Sequence, residues 1–249
     1  MFRSPLKVNW RKELQHWRFI LLFGFVQTFL QYGLFYAGLN LVPGAIAAII
    51  IGAGPLFIAI MAHFAIKNDK LTTRKSIAIL LGLAGVVSIS ITGDSFNTTN
   101  PHFIRGIVLL IASNIVGSYT NIMVIKRTTP ISPVLLTMAA NLSGGVLLLV
   151  VSLFIEPTDA LHSTLPIEFY LALLWLAIIP AAGFTAWYHL LQRPGVKVSE
   201  LNILKFIIPV VGVLLSWLLL PDEYPTWSAT IGIIIISTAV ITLNTPRKK

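Results

Sequence analysis

Residues Lys205–Trp227 read KFIIPVVGVLLSWLLLPDEYPTW. A cation opens an apolar run, Pro209 stands early in it, and Asp222 and Glu223 close it. Residues Gly54–Thr72 read GPLFIAIMAHFAIKNDKLT. A shift of 154 places Pro55 on Pro209, Asp69 on Glu223 and Thr72 on Thr226. The same shift sets Ala78 on Gly232 and Gly85 on Ala239, so small residues match in the helix that follows. A shared register across two successive segments is the mark of an internal repeat.

Around these segments the chain is 56% hydrophobic and 11% charged, with a mean hydropathy of +0.84 over 249 residues. Soluble domains carry about 25% charged residues. A chain this apolar cannot clothe itself in polar surface, so its exterior belongs in lipid. No cysteine is present, which excludes disulfides, thiolate metal sites and cysteine nucleophiles. The opening MFRSPLKVNWRKELQHWR is basic, and it precedes an apolar run long enough to span a bilayer without a small-residue cleavage site, unlike a signal peptide.

A spanning helix needs roughly 20 apolar residues. Eight runs fit that expectation: 19–39, 44–66, 76–93, 106–125, 133–155, 169–189, 201–220 and 227–243. The expected fold is therefore an all-α, polytopic membrane bundle of eight helices. An even number of spans leaves both termini on one side. With the termini cytoplasmic, that side holds Arg3, Lys7, Arg11, Lys12, Arg18, Lys67, Lys70, Arg74, Lys75, Lys126, Arg127, Arg193, Lys197, Arg247, Lys248 and Lys249. The far side holds Arg105 and the acids Asp94, Glu156, Asp159, Glu168, Asp222 and Glu223. Short loops biased in this way follow the positive-inside rule and orient the chain. Cations spread over five segments form no nucleic-acid patch, so no nucleic-acid partner is expected.

In that orientation the two copies run in opposite directions. Helix 44–66 enters from outside and 201–220 from inside. Inverted copies are typical of secondary transporters, with the substrate site between halves near the midplane. Helices 169–189, 201–220 and 227–243 match 19–39, 44–66 and 76–93, whereas 106–125 and 133–155 have no upstream partners. The expected organisation is a basic segment 1–18, a three-helix first repeat over 19–93, a five-helix second repeat over 106–243 and a basic tail 244–249.

The segments YAGLNLVPGAIAAIIIGAGPLFIAIMAHFAIKNDKLTTRKSIAILLGLAGVV and SELNILKFIIPVVGVLLSWLLLPDEYPTWSATIGIIII resemble the EamA branch of the drug/metabolite transporter superfamily. The resemblance covers the chain from about residue 19. It implies two inverted five-helix repeats with cytoplasmic termini. This chain departs from that pattern by lacking the first helix pair, which leaves either a truncated ten-helix protein or an eight-helix variant.

Four polar residues are candidate substrate ligands. Gln27 and Gln31 lie four apart, on one helix face, with Tyr32 and Tyr36 further along. Asn114 lies mid-span beside Ser113, with Asn121 two turns on. Such amides read a polar substrate or join neighbouring helices. Lys205 lies four residues before Pro209, which cannot donate to its carbonyl. It could pair with an anionic substrate group, or it snorkels to headgroups about 7 Å away. Its repeat mate is Ile51. Pro55 and Pro209 are candidate hinges. Trp187 and Tyr188 read as interfacial aromatics or as a gate. His63 and His189 offer a weak proton relay, and no acid falls mid-span. Ser4 in SPLK and the sequon at Asn97 lack the context that would give them meaning. No Walker loop, metal cluster or cofactor motif is present.

The sequence thus points to a secondary transporter, an exporter of small metabolites such as amino-acid-like compounds, working by alternating access in the plasma membrane. The alternatives are a non-transporting fragment or partner subunit, and a membrane-embedded enzyme, for which no catalytic cluster is seen. The expected partners are the bilayer and a small-molecule substrate, with a homodimer open as an assembly.

Overall fold

The computed structural model describes residues 10–90, 101–127, 129, 131–155, 165–219 and 225–244. Ser4, Asn97 and the acids Asp94, Glu156, Asp159, Asp222 and Glu223 lie outside them. All secondary structure among the described residues is helical. In chain order the helices are α1 (Trp10–Glu13), α2 (Trp17–Gly24), a π segment (Phe25–Leu30), α3 (Gln31–Leu39), α4 (Gly44–Gly52), α5 (Gly54–Ala65) and α6 (Thr73–Ser90). There follow α7 (Phe103–Ile125), α8 (Pro133–Ile155), α9 (Ile167–Leu191), α10 (Val198–Ile203), α11 (Ile207–Leu219) and α12 (Trp227–Asn244). Among the described residues, helix is already present at Trp10, inside the segment 1–18 expected to be basic.

Six helical runs among the described residues are long and apolar enough to cross a membrane: Arg11–Leu39, Ile46–Ala65, Phe103–Ile125, Pro133–Ile155, Ile167–Leu191 and Val198–Leu219. Over their described residues the other two expected spans fall short of that standard. α6 opens with Arg74 and Lys75 in its first turn, and the apolar part of α12, Trp227–Thr242, is shorter. The outward surfaces are apolar. In the most apolar stretch of α9 no residue is buried, and Trp175 and Leu176 are 65% and 66% exposed. That is the surface expected of a helix whose solvent is hydrocarbon.

The chain divides into two compact units, one within Met1–Gly33 and Met123–Gly195, the other within Leu34–Ile122 and Val196–Lys249. In the first, α2 and the π segment lie along α8, which also contacts α9. Glycine permits the crossing. A Cβ on Gly24 would come within 2.9 Å of the Ala139 carbonyl, and one on Gly144 within 2.8 Å of the Gly24 carbonyl. Small residues let backbones approach where no hydrophobic effect drives helices together. Phe23, fully buried, meets Tyr188 edge-on with ring centroids 5.4 Å apart, and Tyr188 stacks on Phe184. Tyr188 is 2% exposed. It is therefore a core aromatic of this unit, and the interfacial reading of Tyr188 is corrected: its ring is enclosed by Phe23 and Phe184.

In the second unit α6 and α12 run antiparallel. Arg74 Nε donates to the Thr242 carbonyl at 2.5 Å near one end, and Ser88 Oγ donates to the Ser228 carbonyl at 2.8 Å near the other. Between them Gly85 and Gly232 meet: a Cβ on Gly85 would stand 2.9 Å from the Gly232 carbonyl and 2.5 Å from Ile236 Cγ1. Ala59, Ala78, Ile79, Val86, Ile203, Phe206 and Ile236 form the core around this pair. A smaller cluster of Val42, Ala47 and Leu110 joins α4 to α7.

Candidate functional site

Each sequence-derived candidate lies at or beside a helix irregularity, within one or the other unit. In the first unit, Gln27 falls in the π segment, 6% exposed, and its Nε2 donates to Gln31 Oε1 at 3.1 Å. The two amides are therefore brought together, as their spacing predicts. A π segment widens the helix by about one residue per turn and is frequently found at functional sites. Here it also seats Thr28 against Gly144.

In the second unit the long helix through Ile46–Ala65 is interrupted at Ala53. Pro55 has no N–H to give to the Ile51 carbonyl, so an unbroken α-helix is denied there. The Ala53 N–H reaches back instead to the carbonyls of Ile49, Ile50 and Ile51. Asn114 comes in from α7, its Nδ2 donating to the Ile50 carbonyl at 2.6 Å, and its Oδ1 would stand 3.3 Å from a Cβ at Gly54. Asn114 thus braces the break with its amide nitrogen. Asn121 makes a different bond, donating to Gly117 within its own helix.

The same disturbance recurs before the second proline. α10 ends at Ile203, the chain tightens into a 3-10 turn over Leu204–Phe206, and α11 starts at Ile207 with Pro209 as its third residue. Lys205 stands in that turn, half-buried, beside buried Phe206. The turn is the equivalent, by the shift of 154, of Ile50–Gly52 at the end of α4. Both candidate hinge prolines therefore lie in the first turn after an interruption. The structure joins Gln27 to Gln31 and Asn114 to the α4–α5 break.

The sequence reading missed a second polar assembly at the ends of the spans. Asp69, 1% exposed, accepts from the Ser199 N–H at 2.9 Å, from Ser199 Oγ and from Lys75 Nζ at 2.5 Å. Lys75, 3% exposed, also donates to the Lys70 carbonyl, and Glu200 lies 3.6 Å from it. Asp69 so caps the N-terminus of α10 from another segment, where a negative charge suits the helix dipole. Burial pushes its carboxyl upward, but the Lys75 and Ser199 hydrogen bonds outweigh that and hold it below the ordinary carboxylate value. His63 joins the same knot: its Nδ1 accepts from the Leu71 N–H at 3.1 Å and its carbonyl accepts from Lys70 Nζ. That bond requires an unprotonated Nδ1, so here the ring serves as a strut. His189 lies 3.4 Å from Arg193 Nη2. The first unit has a counterpart, in which Glu13, 5% exposed, accepts from the Ser132 N–H at 2.9 Å and caps α8. The only sequence signal for Asp69 was its register with Glu223. Among the described residues no cluster of His, Asp or Glu could hold a metal ion.

Apolar helices with lipid-facing exteriors, interrupted inside their spans where polar side chains stand, define a multi-pass membrane protein of the transporter class. Residues 3–91 and 104–245 match the model of the EamA-like transporter family, so the chain belongs to that family, within the drug/metabolite transporter superfamily. It is similar to the uncharacterized transporter YvbV of Bacillus subtilis (strain 168), 23% identical over 93% of this chain and 73% of that protein. It is also similar to the uncharacterized transporter YyaM of the same organism, 28% identical over 79% of this chain and 64% of that protein. A solved crystal structure aligns with a TM-score of 0.82 at 20% identity, covering 94% of this chain and 78% of that one. That likeness shows the fold alone. Family and relatives point to a transporter rather than an enzyme.

Proposed function

We propose that the protein is a secondary transporter that exports small organic metabolites, amino-acid-like compounds among them, by alternating access. One observation carries this reading: three apolar helical runs long enough to span a membrane lose regular α geometry within their length, at Phe25–Leu30, Ala53 and Leu204–Phe206, and polar candidates stand at or beside each. Irregular backbone is tolerated at membrane depth only where protein or a water-filled cavity satisfies it. Transporters use such breaks to bind substrate. Gln27, Gln31, Asn114 and Lys205 would read the polar groups of the substrate, with Lys205 taking an anionic one. Bending beside Pro55 and Pro209 would open the site to each side in turn.

The antiparallel run of α6 and α12, whose residues are related by the shift of 154, supports an inverted repeat. It accords with an eight-span arrangement in which both termini are cytoplasmic. The test is transport by the full chain reconstituted in liposomes against a panel of amino acids and related metabolites. Lys205→Ala is expected to abolish transport of anionic substrates or reshape selectivity while membrane insertion is unchanged. Unaltered kinetics across the panel would assign Lys205 to the headgroups and remove the anion-reading role.

A further inference from the structure

A cavity of about 560 Å³ opens beside the Asp69 knot in the second unit. Lys67, Lys70, Arg74, Lys75 and Lys197 line it, with Glu200 as the one carboxylate on its wall. Lys75 is held by Asp69, which lies behind the wall, and Lys197 Nζ is 3.0 Å from Glu200. Five cations thus face two carboxylates. Thr72 and Thr73, both exposed, add hydroxyls at the start of α6, where the helix dipole also favours an anion.

The depth of this cavity is fixed by the elements that border it. The apolar span Ile46–Ala65 ends two residues before Lys67, and the span Val198–Leu219 begins one residue after Lys197. A cation-lined hollow bracketed by two span ends lies where hydrocarbon gives way to headgroups. A cluster of basic side chains at that level attracts phosphate-bearing lipids, at about a fivefold gain for each Lys or Arg near the surface. The Asp69 bonds hold Lys75 at the wall of the hollow.

We infer that this cavity binds a phosphate anion, carried by an anionic phospholipid headgroup or free in solution. The site is separate from the interrupted helices and does not depend on transport. The test uses the full chain in nanodiscs of phosphatidylcholine, with phosphatidylglycerol or inorganic phosphate added in separate arms. Thermal midpoint and, by native mass spectrometry, the number of retained anionic lipids are read for wild type, for Lys67→Gln with Lys70→Gln, and for Arg193→Gln as a control outside the cavity. Stabilisation by phosphatidylglycerol that weakens roughly 10- to 30-fold in the double variant identifies a headgroup site. Saturable stabilisation by phosphate in neutral discs, lost in the double variant, identifies a free-phosphate site. Equal responses of wild type and double variant in both arms, or an equal loss in Arg193→Gln, would overturn the inference. If the double variant melts early in neutral discs, Lys67→Gln alone, at an exposed position, carries the comparison.

Discussion

Asp69 illustrates how much one buried carboxylate can organise. Both of its oxygens are engaged, one by Lys75 and Ser199 Oγ, the other by the Ser199 N–H. Because its folded-state pKa lies below its ordinary value, its contribution to stability is present above about pH 4 and is lost as pH falls below that. The melting temperature is thus expected to drop below pH 4 in wild type and to fall less steeply in Asp69→Asn. Asp69→Ala would leave buried Lys75 with the Lys70 carbonyl and the more distant Glu200, at a cost of about 3 kcal/mol. Adding Lys75→Met should recover most of that loss, because it removes the stranded charge. A double-mutant cycle by thermal or denaturant unfolding checks both statements. Little of this was legible in the sequence. Asp69 stood out as a repeat mate of Glu223, but its partner Ser199 lies 130 residues away, and spacing carries no record of so distant a contact. Tyr188 eluded the reading for a related reason. A tyrosine near a span end is most often interfacial, and only the packing of Phe23 and Phe184 shows that this one is interior.

At the level of helices, the prolines were the most informative letters. Pro55 and Pro209 each remove the helical donor to the carbonyl four residues earlier, and the chain answers with a break at Ala53 and a 3-10 turn at Leu204–Phe206. The π segment had no such signal, since FVQTFL is compatible with an ordinary helix. Asn114 was legible as a mid-span amide, but its bond to the Ile50 carbonyl was not. Asn114→Ala is expected to cost roughly 1 kcal/mol of stability, the usual worth of an interhelical bond in a membrane. A loss of transport with unchanged unfolding would instead make it a ligand first. The α6–α12 contact gives a sharper prediction. Gly85→Leu forces a side chain against Ile236 and the Gly232 backbone, and overpacking of this kind costs about 1–3 kcal/mol. Gly145→Ala, where nothing lies within 4 Å of the added carbon, is the matched control and should be near neutral.

Across the whole molecule, composition alone separated a lipid-dissolved chain from a soluble one, and the loop charges suggested its orientation. Reporter fusions at Asn68 and Asp222 are expected in opposite compartments; the same compartment for both would break the inverted repeat. Of the eight spans expected, six are long and apolar enough to cross a membrane among the described residues, and α6 and α12 pack together through Gly85 and Gly232. The two carboxylate caps carry a consequence for biosynthesis. Glu13 precedes its partner Ser132 by 119 residues, and Asp69 precedes Ser199 by 130. At roughly 5–20 residues per second, each acid leaves the ribosome on the order of ten seconds before the amide it must meet exists. During that interval it stays hydrated at the membrane edge while intervening helices insert. The latching of each unit is thus a late act of synthesis, timed by the ribosome, and a translational stall between the two halves would leave two ionised acids waiting in water.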